Sequence, residues 1–370
     1  MTNHSKATES KILYQETNPY ASFTAFLEDD GRTIYLYVQS QYNSDWKMRS
    51  LWIRNTIPAP EKRDDDDFSV GLAPILLKDE VMNPNDVTPW DPKEISFLWS
   101  PQGTSVGVFY KEELVAFLPP WWGIEGIHGY SKECAKETFT AQPLGNAEHG
   151  VIKEIIDSYQ EFWEKKSVSG HWKEFQTSIL GYLEKHLGDH DKYWSADGGK
   201  YPSLAIASFH PEQFPGIRVF TTIGMSAQFQ PEVEIMRKDW KEYSQIELVL
   251  AVKIGSDGDK TENWVPHLLG EMIKYPWNMG IWFGEGHMLA MNRKDPEQLY
   301  LDFTAILMRE WNPSEEFFRY GGNPVRFLSL IPISEEEKLI YETEGSSSLK
   351  QKLIGAGISF IHDSERKGVF

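Results

Sequence analysis

Apolar and polar positions alternate in twos over the first third of the chain, then switch to a helical spacing. Phe23-Thr-Ala-Phe-Leu27 and Thr33-Ile-Tyr-Leu-Tyr-Val-Gln39, split by Glu28-Asp-Asp-Gly31, predict a β-hairpin whose Asp-Gly pair supplies left-handed turn geometry. Met48–Asn55 extends that sheet by the same alternation. Ile95–Trp99, Ser105–Tyr110 and Leu114–Leu118 predict a meander with turns at Gln102-Gly103 and Lys111–Glu113. Between the two clusters, Pro58–Asp67 carries two prolines that cannot donate to a ladder and four consecutive aspartates that repel one another, so it predicts a solvated loop. Residues 1–18 read as a polar tail and 19–142 as a β-rich domain.

The period then changes. Val151, Ile152, Ile155, Ile156, Tyr159, Phe162 and Trp163 recur as one helical face, and Trp172, Phe175, Ile179, Tyr182, Leu183 and Leu187 as a second. Gly188 stands where a helix-ending glycine belongs. This helical pair, within 143–192, is expected to join two β-rich halves. From 193 to 370 strands return at 203–209, 218–223, 246–252, 281–283, 305–308 and 325–333, with helices over 264–274, from Ser334 to Thr343, and over 346–355. Ile358–Ile361 predicts a closing strand. The expected fold class is α+β: a C-terminal mixed sheet covered by helices, preceded by the smaller β-rich domain and the helical pair.

Length and composition agree with this. At 370 residues the chain exceeds what one core usually serves, and 40% hydrophobic with 14% aromatic residues is ample for burial. A formal charge of −18 argues against nucleic acid, which needs clustered Lys and Arg, and suits a basic protein partner. One cysteine, Cys134, excludes an internal disulfide and fits a reducing compartment. The polar N-terminus lacks the apolar core of a signal peptide, and no window approaches the about 18 apolar residues of a membrane span. A cytoplasmic location is expected.

Candidate chemistry is sparse. Glu285 and His287 in Gly284-Glu-Gly-His287 could act as an acid–base pair of a hydrolase, but no nucleophile accompanies them. His128, Cys134 and His149, separated by five and fourteen residues, match no zinc spacing, and Asp64–Asp67 lacks the alternating ligands of a calcium loop. His186 and His190 with Asp189 and Asp191 read as a helix end, and Gly321-Gly322 has no phosphate-loop partners. No catalytic residue, cofactor or metal is expected. Gly224-Met225-Ser226 opens a long stretch to Glu242 that mixes charges with Phe229 and Trp240 and ends beside Tyr243. With Trp121 and Trp122 of the loop Trp121–Gly129, these residues, Met225 included, are the candidate partner contacts.

In order and spacing, Phe220-Thr-Thr-Ile-Gly-Met-Ser226, the strand from Tyr243 to Ala251, Tyr275-Pro276, Gly284-Glu-Gly-His287, Val325–Ile333, Glu335-Glu-Glu337 and Asp363-Ser-Glu-Arg366 resemble the suppressor of fused family over about 195–370. The resemblance implies an α+β sandwich and a non-catalytic, protein-binding role. Animal members hold Gli-type transcription factors, the peptide adding to a sheet edge; bacterial members are thought to be immunity proteins that neutralise toxins. The further C-terminal domain of animal members has no counterpart before Phe370, which favours the bacterial type. The expected function is therefore an immunity protein binding a basic toxin domain. The alternatives are a cytoplasmic regulator or scaffold, or the Glu285/His287 hydrolase.

Overall fold

The computed structural model describes residues 10–64, 67, 71–145, 149–254, 264–291, 303–312, 316–363 and 365–369. The chain divides into two compact units, residues 1–168 with Trp277–Gly280, and residues 169–276 with 281–370.

The first unit holds two sheets. β1 (Lys11–Thr17), β2 (Phe23–Asp29), β3 (Thr33–Ser40) and β4 (Arg49–Asn55) form an antiparallel meander. The stretch expected to be a loose tail is thus a strand from Lys11 onward. Its signal is only the short run Ile12-Leu13-Tyr14, yet Leu13 and Tyr14 pack on the core and Tyr14 meets Phe97 edge-on at 4.8 Å. The Asp30 carboxylate staples the β2–β3 turn by accepting the amides of Arg32 and Thr33 at 2.8 and 2.7 Å. β5 (Ile95–Trp99), β6 (Val106–Tyr110), β7 (Glu113–Leu118), β8 (Tyr130–Ser131) and β9 (Gln142–Pro143) make the second sheet. Leu36, Leu51 and Trp52 of the first sheet and Val106, Val108 and Leu118 of the second share one core. Of the aspartate run, Asp65 and Asp66 lie outside the described residues; Asp67 is half-buried and accepts from Arg32 at 2.5 Å, so the run's end is tied down rather than solvated.

The helical pair does not form a separate connector. α1 (Val151–Ser167) belongs to the first unit, where Ile156 and Tyr159 pack on Leu114 and Phe117. Gly107 on β6 permits this approach, because a Cβ there would stand 2.8 Å from Ile156 Cδ1. α2 (His171–Leu187) belongs to the second unit, which is built on a nine-stranded sheet.

That sheet runs β10 (His190–Ser195), β11 (Ala205–Phe209), β12 (Ile217–Ile223), β13 (Gln245–Lys253), β17 (Asn323–Ile333), β15 (Ala305–Trp311), β14 (Met288–Ala290). β16 (Arg319–Tyr320) turns into β17 through Gly321-Gly322, so the glycine pair is a hairpin turn. All these pairs are antiparallel except β13 with β17 and β13 with β18 (Ile361–His362), which makes the sheet mixed. α2 buries Phe175, Ile179, Leu183 and Leu187 against Ala205, Ala207, Val219 and Val249, worth about 1.5–3 kcal/mol for each large side chain. On the same face α6 (Glu335–Glu344) and α7 (Ser346–Gly355) cover Ala305, Leu307, Ile331 and Ile333. α4 (Trp264–Met272) packs on β11 and β12 from the other face; α3 (Val233–Met236) and α5 (Tyr275–Met279) are short. The fold is α+β, a mixed sheet covered by helices.

Ile281–Phe283 is not the expected strand. The Gln230 side chain replaces a neighbouring strand there: its Oε1 accepts the Phe283 amide at 2.8 Å and its Nε2 donates to the Phe283 carbonyl at 3.1 Å.

Candidate functional site

β12 ends at Ile223, and the chain turns through Gly224 at φ 112° into a 3₁₀ turn, Met225–Ala227. Only glycine fits, since a Cβ would lie 2.5 Å from the Ser203 carbonyl oxygen. Glu247 of β13, fully buried, clamps this turn. Its Oε1 accepts the amides of Gly224 and Ser226 at 2.9 and 3.0 Å and the Ser226 hydroxyl at 2.6 Å; its Oε2 accepts the Thr222 hydroxyl at 2.6 Å. Burial pushes the carboxyl up to about 7, against the pull of these four donors. The conspicuous Thr-Thr-Ile-Gly-Met-Ser run is therefore an internal lock. Met225, expected as a partner contact, is 0% exposed: the lock folds it into the core.

Beyond the lock, the loop 228–243 alternates buried residues, Gln228, Gln230, Pro231 and Val233, with half-buried and exposed ones that form the surface. Gln230 anchors the loop, also donating to the Tyr243 carbonyl at 3.1 Å. Phe229 and Trp240, both half-buried, meet edge to face at 6.0 Å. Tyr243 lies two residues before β13, near the beginning of its parallel partner β17, because Ile246 is opposite Arg326. Two guanidinium groups rest over its ring, Arg237 at 3.7 Å and Arg326 at 4.8 Å, and Arg326 also lies 4.5 Å over Phe317. Arg237 pairs with Asp239 at 3.0 Å, and Arg326 with Glu310 at 3.4 Å and the Glu242 carbonyl at 2.9 Å. The result is an aromatic patch with stiffened arginines, a carboxylate rim, and Met236 and Phe317 exposed at 65% and 37%.

Sequence reasoning placed Phe229, Trp240 and Tyr243 together and missed Arg326 and Phe317, which come from distant positions. The available signal was a single charge inside the apolar run Val325-Arg-Phe-Leu-Ser-Leu-Ile331. Trp121 and Trp122 are half-buried in the first unit: Trp121 packs on Phe117, and Trp122 donates to the Ser50 carbonyl at 2.9 Å.

Glu285 and His287 are held apart in role. Glu285 accepts from Lys350 through Oε1 and from the Glu310 amide through Oε2. His287 Nδ1 pairs with the Trp282 carbonyl at 3.2 Å, and its ring meets Trp282 edge-on at 4.5 Å. Among the described residues no cluster of three His, Cys, Asp or Glu side chains could hold a metal, and no helix is long and apolar enough to cross a membrane. Cys134 is buried, its thiol pushed up to about 11 by burial, and His149 is exposed. His190 pairs with Glu184 at 2.5 Å, while Asp191 takes the Arg218 guanidinium and the Ser208 hydroxyl. Beside that ion pair a cavity of about 660 Å³ lies between the β10–β12 face and α4, lined by Trp194, Phe220 and His267. A smaller apolar cavity of about 240 Å³ opens where β13 exchanges β17 for β18 as its neighbour, lined by Val249, Ala251, Ser329 and Phe360.

The sheet order, the locked turn and the helical cover define a mixed α+β domain. Residues 200–367 match the family model described as Suppressor of fused protein (SUFU), which places that stretch in the suppressor of fused family. Among solved structures, a putative SUFU homolog from Neisseria gonorrhoeae FA 1090 is similar at 18% identity over 54% of this chain and 98% of that one, with a TM-score of 0.37. The Sufu–Fu complex is similar at 14% identity over 53% of this chain and 92% of that one, with a TM-score of 0.41. Among curated proteins none matches.

Proposed function

We propose that this chain is a protein-binding module whose suppressor of fused domain meets its partner at residues 228–243. The observation that carries this is Tyr243 beneath Arg237 and Arg326, with exposed Met236 and Phe317 alongside. Tyr, Trp and Arg are the residues on which interface energy concentrates, and here they are held in place before any partner arrives. The family match over 200–367 supports the same reading.

More finely, the partner is a basic toxin domain and the chain is a cytoplasmic immunity protein that covers it. The formal charge of −18 speeds encounter with a cationic target, and the rim carboxylates Asp239, Glu242 and Glu310 offer it ion pairs around the aromatic centre. Co-purification with a toxin encoded beside this gene, followed by titration calorimetry, tests the proposal. Tyr243→Ala and Trp240→Ala should each weaken the complex by about thirtyfold, the equivalent of an interface anchor. A neighbouring toxin that fails to bind at low salt overturns the immunity role; tight binding unaffected by both variants overturns the assignment of the surface.

A further inference from the structure

Arg309 lies on β15 and is 8% exposed. Its Nε is buried without a hydrogen-bond partner, its terminal nitrogens are not buried, and the guanidinium lies 4.6 Å over the Phe360 ring. Opposite it in register, the Ser329 hydroxyl is also buried and unpartnered. Taking part of a charge out of water is unfavourable, and the cation–π contact offsets only some of that cost. The terminal guanidinium nitrogens are left able to donate to an anion.

A place for one exists. Arg309 lines a cavity of about 200 Å³ together with Ser346, Ser347, Lys350 and Glu285. Ser346 and Ser347 open α7, a ten-residue helix whose N-cap, Gly345, has no side chain to satisfy the first amides. Those amides and the helix dipole favour negative charge at this end, and the two serine hydroxyls add donors. Lys350, one turn on, faces the same cavity and pairs with Glu285, whose second oxygen is taken by the Glu310 amide. Two cations against one carboxylate leave a net positive charge, on top of about half a charge from the helix end.

We propose that this cavity is an oxyanion site that takes a phosphoryl group, with the Arg309 guanidinium and the α7 amides as its principal donors. It is independent of the aromatic patch and of any toxin partner.

Thermal unfolding of the full chain in inorganic phosphate, against chloride at equal ionic strength, tests the assignment. The wild type should gain a saturable rise in melting temperature from phosphate. Arg309→Met should lose that rise, yet melt close to the wild type in chloride, because the methionine keeps the packing on Phe360 and no ion pair among the described residues is lost. Glu285→Gln removes the competing carboxylate and should lower the phosphate midpoint by about tenfold, the scale of one charge-assisted contact. Phosphoethanolamine distinguishes the source: stabilisation equal to inorganic phosphate assigns the site to a phosphomonoester, and stabilisation by phosphate alone assigns it to the free ion. An equal phosphate response in Arg309→Met, a wild-type response no larger than in chloride, or an unchanged midpoint in Glu285→Gln would overturn the proposal.

Discussion

The Ser226 hydroxyl and amide both donate to Oε1 of Glu247, at 2.6 and 3.0 Å, in a site without solvent access. This one carboxylate fixes the turn from which the loop 228–243 departs. Its carboxyl, ordinarily 4.5, is pushed up to about 7 by burial. A raised folded value means the native state holds the proton more tightly than the unfolded chain. Its stabilisation is therefore complete below about 4.5 and is lost as pH rises to about 7, a change of roughly 3 kcal/mol. Urea unfolding at successive pH values should show this decline in the wild type and not in Glu247→Gln. At low pH the variant should be less stable than the wild type by about 1–3 kcal/mol, since its amide sets a donor against donors, and this gap should close as pH rises to about 7. A decline of equal size in the variant would refute the assignment.

His287 acts in the opposite sense. Burial lowers its imidazole from the ordinary 6.5, only partly offset by the Trp282 carbonyl. A lowered folded value means that the neutral ring is preferred in the native state. Its contribution stands above about 6.5 and is lost as pH falls through the folded value. His287→Gln should flatten this acid limb while the Glu247 decline persists. NMR titration of the ring should show a midpoint below 6.5, and a midpoint above it would contradict the packing against Trp282.

Gln230 is a side chain that stands in for a strand. It satisfies both backbone polar groups of buried Phe283 and reaches the Tyr243 carbonyl as well. Gln230→Ala should cost about 2–4 kcal/mol, because two buried main-chain groups lose their partners. Hydrogen exchange at the Phe283 amide should accelerate more than at β12. Unchanged protection of that amide would mean that water or another group replaces the glutamine at little cost.

This bridge also shows where legibility ended. The strands at 23–29, 106–110, 217–223 and 323–333, and helices α1, α2 and α7, follow from local alternation or helical period, and each is found near its expected place. Ile281–Phe283 has the same apolar look, but its hydrogen bonds go to a side chain fifty residues earlier, which no window can reveal. β1 was hidden for the converse reason: three apolar residues among polar ones become a strand only because β2 offers a free edge. In the site, Phe229, Trp240 and Tyr243 cluster within one loop and could be read together. Arg326 and Phe317 arrive through the parallel pairing of β13 with β17, a nonlocal choice. Met225 looked like a surface methionine until Glu247, twenty-two positions on, turned it inward.

Arg366 grips Glu337 with both ends of its fork, at 2.7 Å each, and Glu337 is 0% exposed. Glu337 also accepts the Ser334 amide that completes the α6 capping box and the Val369 amide at 3.1 Å, so it ties the closing segment to the helix start. Burial raises its carboxyl, but the Arg366 hydrogen bonds outweigh this and hold it below the ordinary 4.5. That stabilisation is present above 4.5 and lost as acid lowers the pH through the folded value. Arg366→Ala leaves a buried carboxylate without its cation and should cost about 3–5 kcal/mol. The double variant Arg366→Met with Glu337→Leu removes both charges and should be destabilised by clearly less than Arg366→Ala. Equal losses in the two would show that packing of the closing segment, and not the ion pair, holds it to α6.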